Sequence, residues 1–400
     1  LTPSERKEPI EASAAGTPRL SGTVRALGVV SLFNDIAGHM IQPLLPGFVA
    51  KVGGGPEVLG LIEGVADSAA SLLQIPSGYL ADRMRRLKAL TFVGYVTAIV
   101  LRPLLALVTS WWQILLIRVG DRAGKGIRGA PRDTLLAETT AHPQLGRAYG
   151  FHRAMDYAGA IVGPAIAYGL LATGFSTREV FALTAVPGVV ALCVLGFGVS
   201  EVGARAVVAA EKIRIGLPAS PLYRRALIAI FVFTLGASSD SFLLWRAREV
   251  GVPLEYAPLL WMVLALVKSA TSTWGGALSD AQGRRKLILA GWTIYAAVYL
   301  GFGFATEPWQ IWVLFAAYGT FFGLSESAET ALVVDLVSEQ WRGRALGTYN
   351  AVIGAASLPA SLIFGVVYQL EGARTAFAMA AGIALVAALI LPKRPRAEYA

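Results

Sequence analysis

The chain is built from apolar blocks of nearly constant length, and this limits what it can fold into. "ALTFVGYVTAIVLRPLLALV" at 89–108 and "FAMAAGIALVAALIL" at 377–391 are typical. A hydrocarbon core ~30 Å thick is crossed by ~20 helical residues, so each such block reads as one membrane crossing. Blocks fall at 24–48, 57–80, 88–109, 111–133, 146–173, 178–200, 224–248, 257–278, 286–305, 310–334, 344–369 and 373–392. The expectation is an all-α membrane protein of twelve transmembrane helices with both termini on one side. Composition agrees: 55% of residues are hydrophobic and only 15% charged, against ~25% charged in an average soluble domain.

The charges between blocks set the orientation. "DRMRRLK", "GRRK", "WRGR" and "PKRPR" follow the second, eighth, tenth and twelfth blocks, on the same side as the N-terminus. Basic loops stay cytoplasmic, so both termini are expected there. The net charge of +9 is thereby explained as topology, and nucleic acid is not an expected partner. The polar start of the chain lacks an apolar h-region and reads as a tail, not a signal peptide. The single cysteine, Cys193, and three dispersed histidines offer no metal cluster. No Ser/His/Asp set or phosphate-binding glycine loop is present, so neither an enzyme nor a resident cofactor or metal is expected.

The chain also repeats. "GYLADRMRRLK" from Gly78 returns as "GALSDAQGRRK" from Gly276, 198 residues on. "AETTAHPQLGRAYG" from Ala137 returns as "VDLVSEQWRGRALG" from Val334, 197 residues on. "FND", ending at Asp35, pairs with "SSD", ending at Asp240. Two six-helix halves in parallel orientation place a substrate between them near the midplane. The expected organisation is a tail at 1–22, a bundle at 23–200, a linker at 201–223, a second bundle at 224–392 and a tail at 393–400.

With these features the sequence resembles the major facilitator superfamily over nearly its whole length. The loop signature G-x-L-x-D-x-x-G-R-[RK]-[RK] is matched by Gly276, Leu278, Asp280, Gly283, Arg284 and Arg285. Its first copy keeps Gly78, Leu80, Asp82, Arg83 and Arg86, with Arg85 where glycine belongs. The resemblance implies a gating role for this loop. Gly159, Gly163 and Pro164 in "GAIVGP" resemble the family's antiporter signature, with Ala167 where a further glycine is usual. "FNDIAGHMIQPLLPGF", "DRAGKGIRGAPRD" and "FHRAMD" resemble a bacterial subgroup, which implies a multi-pass protein of the inner membrane, usually monomeric.

The fourth block is the most unusual. At 100° per residue, Arg118, Asp121, Arg122, Lys125, Arg128 and Arg132 share an arc of roughly 120° on one helix. A charge at mid-membrane costs at least ~3 kcal/mol, so this stripe must face a cavity or partners rather than lipid. Arg128 and Arg132 are placed near the interface. The family's fourth helix commonly carries an arginine, matched by Arg118, but the Gln-Gly that usually follows is Asp121-Arg122 here.

Other mid-depth polar groups are Asn34, Asp35, His39 and Gln42 on the first helix, Arg153 and Asp156 on the fifth, Asp240 on the seventh, Lys268 on the eighth and Glu326 on the tenth. Glu63, Asp67 and Arg102 read rather as members of static pairs, and Glu329 as interfacial.

The expected activity is secondary transport of a small solute by alternating access, without an enzymatic step. Asn34, His39, Gln42, Arg118, Arg122, Lys125, Arg153, Lys268 and Glu326 are the substrate-binding candidates. Asp35, Asp121, Asp156 and Asp240 are the proton-coupling candidates. Guanidinium and ammonium groups favour an organic anion or zwitterion, exported against protons. Efflux of amphiphilic or cationic drugs is the alternative, and a receptor or enzyme on a transporter fold a minor one.

Overall fold

A computed structural model describes residues 20–83, 86–141, 144–201, 220–338 and 341–393. The expected linker and both tails lie almost wholly outside these residues. Among the described residues every regular element is helical.

The first half runs α1 (Gly22–Ile41), α2 (Leu45–Lys51), α3 (Pro56–Arg83), α4 (Leu87–Leu101), α5 (Trp111–Glu138), α6 (Leu145–Ala172), α7 (Thr177–Leu183) and α8 (Ala185–Gly198). The second runs α9 (Pro221–Gly236), α10 (Ser241–Glu249), α11 (Ala257–Gln282), α12 (Arg284–Phe304), α13 (Pro308–Asp335) and α14 (Arg342–Ile390). Pro43 and Pro46 tighten the chain between α1 and α2, where Gln42–Leu44 forms a 3₁₀ turn. The 49-residue α14 is two helices in sequence, broken at Gly372 with φ 83°. Only glycine takes that angle without strain, and the break falls between the two last apolar blocks.

The duplication holds in three dimensions. The helix pairs α4/α12, α5/α13 and α6/α14 each start 197 residues apart, and α1/α9 start 199 apart. Even the caps repeat: Ser110 with Gln113 closes the start of α5, and Glu307 with Gln310 the start of α13. The packing of α1 on α6, α3 on α5 and α4 on α5 recurs as α9 on α14, α11 on α13 and α12 on α13. One expected equivalence shifts. The ends of α2 and α10 are 198 residues apart, which sets Asp240 opposite Gln42 and not opposite Asp35. Three-letter similarity could not resolve that register across the break after α9.

Eight helical segments among the described residues are long and apolar enough to cross a membrane. Those outside this set are α1, α5 and α13, which carry Asp35, the basic stripe and Glu326. Polar residues within them lower the mean hydropathy of segments as long as their neighbours. Phe197, Trp274 and Leu389 are 94%, 79% and 81% exposed, a pattern suited to lipid rather than water.

Candidate functional site

The halves meet along α3 with α14 and α6 with α11, and they are closed over the face opposite the termini. Gly47 lies against Leu254, Gly60 against the Ser361 carbonyl and Gly365 against the Pro56 carbonyl, each so close that a Cβ would collide. Hydrogen bonds cross the seam in the same region. Ser239 Oγ donates to Glu63 Oε2 at 3.3 Å, and Gln42 Nε2 to Ser241 Oγ at 3.2 Å. Trp261 Nε1 donates to His39 Nδ1 at 3.0 Å, and Ser68 Oγ to the Gly354 carbonyl at 3.0 Å. Toward the terminal face, Gly146, Gly150 and Gly347 have open space around them.

The stripe on α5 divides by depth. Arg118 donates from Nη2 to Gln42 Oε1 at 2.8 Å and to Glu63 Oε1 at 3.0 Å. Its Nη1 lies 3.6 Å from Asp121 Oδ2. Arg102 donates from Nε to Asp121 Oδ1 at 2.9 Å and from Nη1 to the Asn34 carbonyl and Asn34 Oδ1 at 2.9 and 3.0 Å. Two guanidinium and two carboxylate groups thus form one buried neutral network. Burial of charge in this setting demands such pairing. Glu63 and Arg102, read from sequence as static partners, are the groups that neutralise Arg118 and Asp121. The signal for Arg102 was its place directly before Pro103, where α4 tightens into a 3₁₀ turn.

Farther along α5, Arg122 Nε lies 3.4 Å from Asp67 Oδ1, both side chains partly exposed. Lys125 differs. It is exposed although it sits near the middle of α5, and no carboxylate among the described residues pairs with it. Its neighbours explain this. A Cβ on Gly124 would stand 2.6 Å from the Gly94 carbonyl, and one on Gly126 2.5 Å from the Ala70 carbonyl. The glycines let α5 wedge between α3 and α4, while Lys125 between them projects into open space. Arg128 is buried, its guanidinium 4.6 Å from the Tyr95 ring centroid. Arg132 Nη2 pairs with Asp133 at 2.8 Å.

On α1, Asp35 accepts from Asn34 Nδ2 at 2.9 Å and stays partly exposed. Lys125, Arg122 and His39 stand within electrostatic range of it without forming an ion pair. Gly159 and Gly163 set the spacing behind it: a Cβ there would lie 2.7 Å from Asp35 Cβ and 2.6 Å from the Ile36 carbonyl. Asp156 accepts from Ser31 and has His152 Nδ1 at 3.5 Å. Arg153, expected on the same face, is exposed with no ion-pair partner among the described residues.

In the second half Lys268 Nζ pairs with Glu326 Oε2 at 2.9 Å and lies 4.1 Å from the Phe322 ring centroid. Asp240 accepts from Tyr318 OH at 2.7 Å. Glu329, expected at the interface, is instead buried beneath Trp292 and Tyr349. Tertiary packing, not the sequence spacing, decides that.

In the signature loop, Gly283 takes φ 92° and lets α12 begin directly after α11. Arg284 Nη1 donates to Ser279 Oγ at 3.1 Å, and its Nε lies 3.5 Å from Asp335 Oδ2 at the end of α13. Arg86 is exposed and Gly78 has slack around it. The side chains of Asp82, Arg83 and Asp280, and the surroundings of Gly276, lie outside what is described. Pro164 is buried within α6.

Two duplicated helical bundles around a polar seam, sealed on one face, define a membrane carrier. The chain belongs to the major facilitator superfamily, whose family model matches residues 27–267 and 226–399. It is 34% identical over 382 residues to an MFS-type transporter of Methanocaldococcus jannaschii, covering 93% of this chain and 94% of that one. It is 24% identical to the multidrug resistance protein MdtG of Dickeya zeae, covering 88% and 90%. The fold matches nucleoside transporter NupG with a TM-score of 0.77 at 13% identity, covering 92% and 98%. It matches a bacterial homologue of the lysosomal transporter Spinster, in an inward-facing and occupied conformation, with a TM-score of 0.73 at 17% identity, covering 94% and 97%. The protein is therefore a multi-pass membrane transporter.

Proposed function

We propose that the protein exports a small zwitterion in exchange for protons, by alternating access across the bacterial inner membrane. In this assignment both termini are cytoplasmic, residues 23–200 and 224–392 are the two rocking bundles, and a monomer is the working unit. The signature-loop residues and the Gly159–Gly163–Pro164 stretch are assigned to gating. The observation that carries the substrate class is Lys125: an exposed ammonium at mid-length of a membrane helix, near Asp35, neither having an ion-pair partner among the described residues.

A carboxylate of the substrate would take the Lys125 ammonium. Its own ammonium would take Asp35, in competition with a proton for the same carboxylate. The exchange follows from competition for one charge. Arg118 and Asp121 are already ion-paired and act as framework in this scheme. Arg122 and Asp67, and Lys268 and Glu326, line the space as neutral pairs, with His39, Gln42, Asn34 and Arg153 as secondary polar contacts. Asp240 and Asp156 are further acids of the same kind.

The test is the melting temperature of the purified protein with amino acids, short carboxylates, phosphate esters and lipophilic cations. Stabilisation by a zwitterion, lost in Lys125→Gln and in Asp35→Asn, supports the assignment. Stabilisation by lipophilic cations alone, unchanged in Lys125→Gln, would transfer it to drug efflux. That second reading is favoured by the relative named for multidrug resistance and by Tyr318 and Phe322 beside Asp240 and Lys268.

A further inference from the structure

Glu329 is the one buried carboxylate of the second half among the described residues. Trp292 Nε1 donates to its Oε1 at 2.7 Å, and Tyr349 OH to its Oε2 at 3.4 Å. Both partners are neutral. The only ionised group within electrostatic range among the described residues is Glu326, one turn away on α13 and itself paired with Lys268.

The internal repeat shows what is missing. At a spacing of 197 residues, Tyr95, Arg132 and His152 of the first half become Trp292, Glu329 and Tyr349 of the second. Arg132 has Asp133 as partner and Asp156 within range. The positions equivalent to those two aspartates hold Thr330 and Ile353. The charge has been reversed at this site, and no counter-charge is supplied among the described residues. A buried unpaired carboxylate costs several kcal/mol, which a protein avoids by keeping the group neutral.

We propose that Glu329 is a proton-binding site. In the conformation described here its carboxyl group holds a proton, with Oε1 accepting from Trp292 and Oε2 accepting from the Tyr349 hydroxyl. Glu329 and its partners lie two turns from the ends of α13, α12 and α14 nearest the terminal face. The route for the proton is therefore short. Tyr349 also precedes Gly354, Leu358 and Ser361, the stretch of α14 that packs on Ser71, Gly64 and Gly60 of the first half. This assignment does not depend on the substrate class proposed above.

Three measurements on the purified full-length protein decide it, none of which needs a ligand. In infrared spectra at neutral pH, the carbonyl stretch of a protonated carboxyl group should be present in wild type and weakened in Glu329→Gln. In a potentiometric titration from neutral to alkaline pH, Glu329→Gln should release one proton fewer per molecule. Trp292 emission, isolated by subtracting Trp292→Phe, should change over the same range and become pH-independent in Glu329→Gln. Glu329→Asp, which keeps the charge, should retain the titration and controls for folding, and the Trp292→Phe protein should keep the infrared band. A Glu329→Gln protein with an unaltered infrared band and proton count would overturn the proposal, as would a Trp292 signal in wild type that ignores pH.

Discussion

The two halves share one backbone plan and solve burial in opposite ways. In the first half, among the described residues, buried Glu63, Arg102, Arg118 and Asp121 are held together by guanidinium–carboxylate bonds, and buried Arg128 lies against the Tyr95 ring. In the second half, among the described residues, Glu329 is buried alone and aromatic rings take the place of the ions. Phe233 stacks on Trp292 at 4.4 Å, and Tyr295 on Tyr299 at 4.0 Å. Ion pairs fix a geometry because each partner is costly to leave alone. Ring stacks pack well without any charge being placed in lipid depth. A duplicated fold can thus keep one half as a charged frame and give the other a softer, proton-sensitive interior.

The largest test of this contrast is to break each half's buried polar site. Arg118→Ala leaves Glu63 without its guanidinium and Asp121 with Arg102 alone. The expected cost is about 3–5 kcal/mol of stability, read as thermal or denaturant unfolding in detergent. Glu329→Gln keeps both neutral donors near an amide and should cost less than about 1 kcal/mol. Equal losses from the two substitutions would mean that the halves do not differ in this way. Restoring part of the Arg118→Ala loss by Glu63→Gln would sharpen the point, since the unpaired charge is then gone.

A smaller effect separates how closely the helices approach. Gly159 and Gly163 of α6 press on α1, where the equivalent positions in α14 are the buried Ala356 and Ala360. Gly163→Ala should destabilise by about 1–3 kcal/mol, because its Cβ meets the Ile36 carbonyl of a framework that cannot yield. Gly146→Ala, in open space on the same helix, should be neutral or slightly stabilising. If both alanine variants melt alike, the tight α1–α6 seam behind Asp35 is not under the compression inferred for it.

Much of this was legible in the chain itself. Block length and the twofold repeat carried the helix order, because membrane helices must span a fixed thickness. The stripe on α5 was legible from periodicity alone, as was the need for Arg118 and Arg122 to avoid lipid. What periodicity could not supply was partner choice. Arg118 pairs with Glu63 on α3 and Asp121 on its own helix, while Lys125, on the same arc, has no ion-pair partner among the described residues. That difference arises from Gly124 and Gly126, whose meaning depends on which helices lie against them. Glu329 was misplaced for a similar reason: its counterpart Arg132 can reach outward on a long side chain, whereas a shorter carboxylate stays with Trp292 and Tyr349.

The seam between the halves offers the finest comparison, because its hydrogen bonds are of two kinds. Ser239 and Trp261 of the second half donate to the ionised or ionisable Glu63 and His39 of the first, whereas Gln42 and Ser68 of the first half donate to the neutral Ser241 hydroxyl and Gly354 carbonyl of the second. Glu63 is already satisfied by Arg118 and Gln42. Losing the Ser239 hydroxyl therefore strands no charge and removes one bond worth about 1 kcal/mol, present only while this face is closed. Ser239→Ala should shift the balance between the two open states by roughly fivefold toward opening at the face opposite the termini. A cysteine at Leu254, which packs on Gly47 in the closed seam, reports this in a Cys193→Ser background. Its labelling by a membrane-impermeant maleimide should rise about fivefold with Ser239→Ala. An unchanged rate would show that the seam is held by the glycine contacts of α3 and α14, with the hydrogen bonds as passengers.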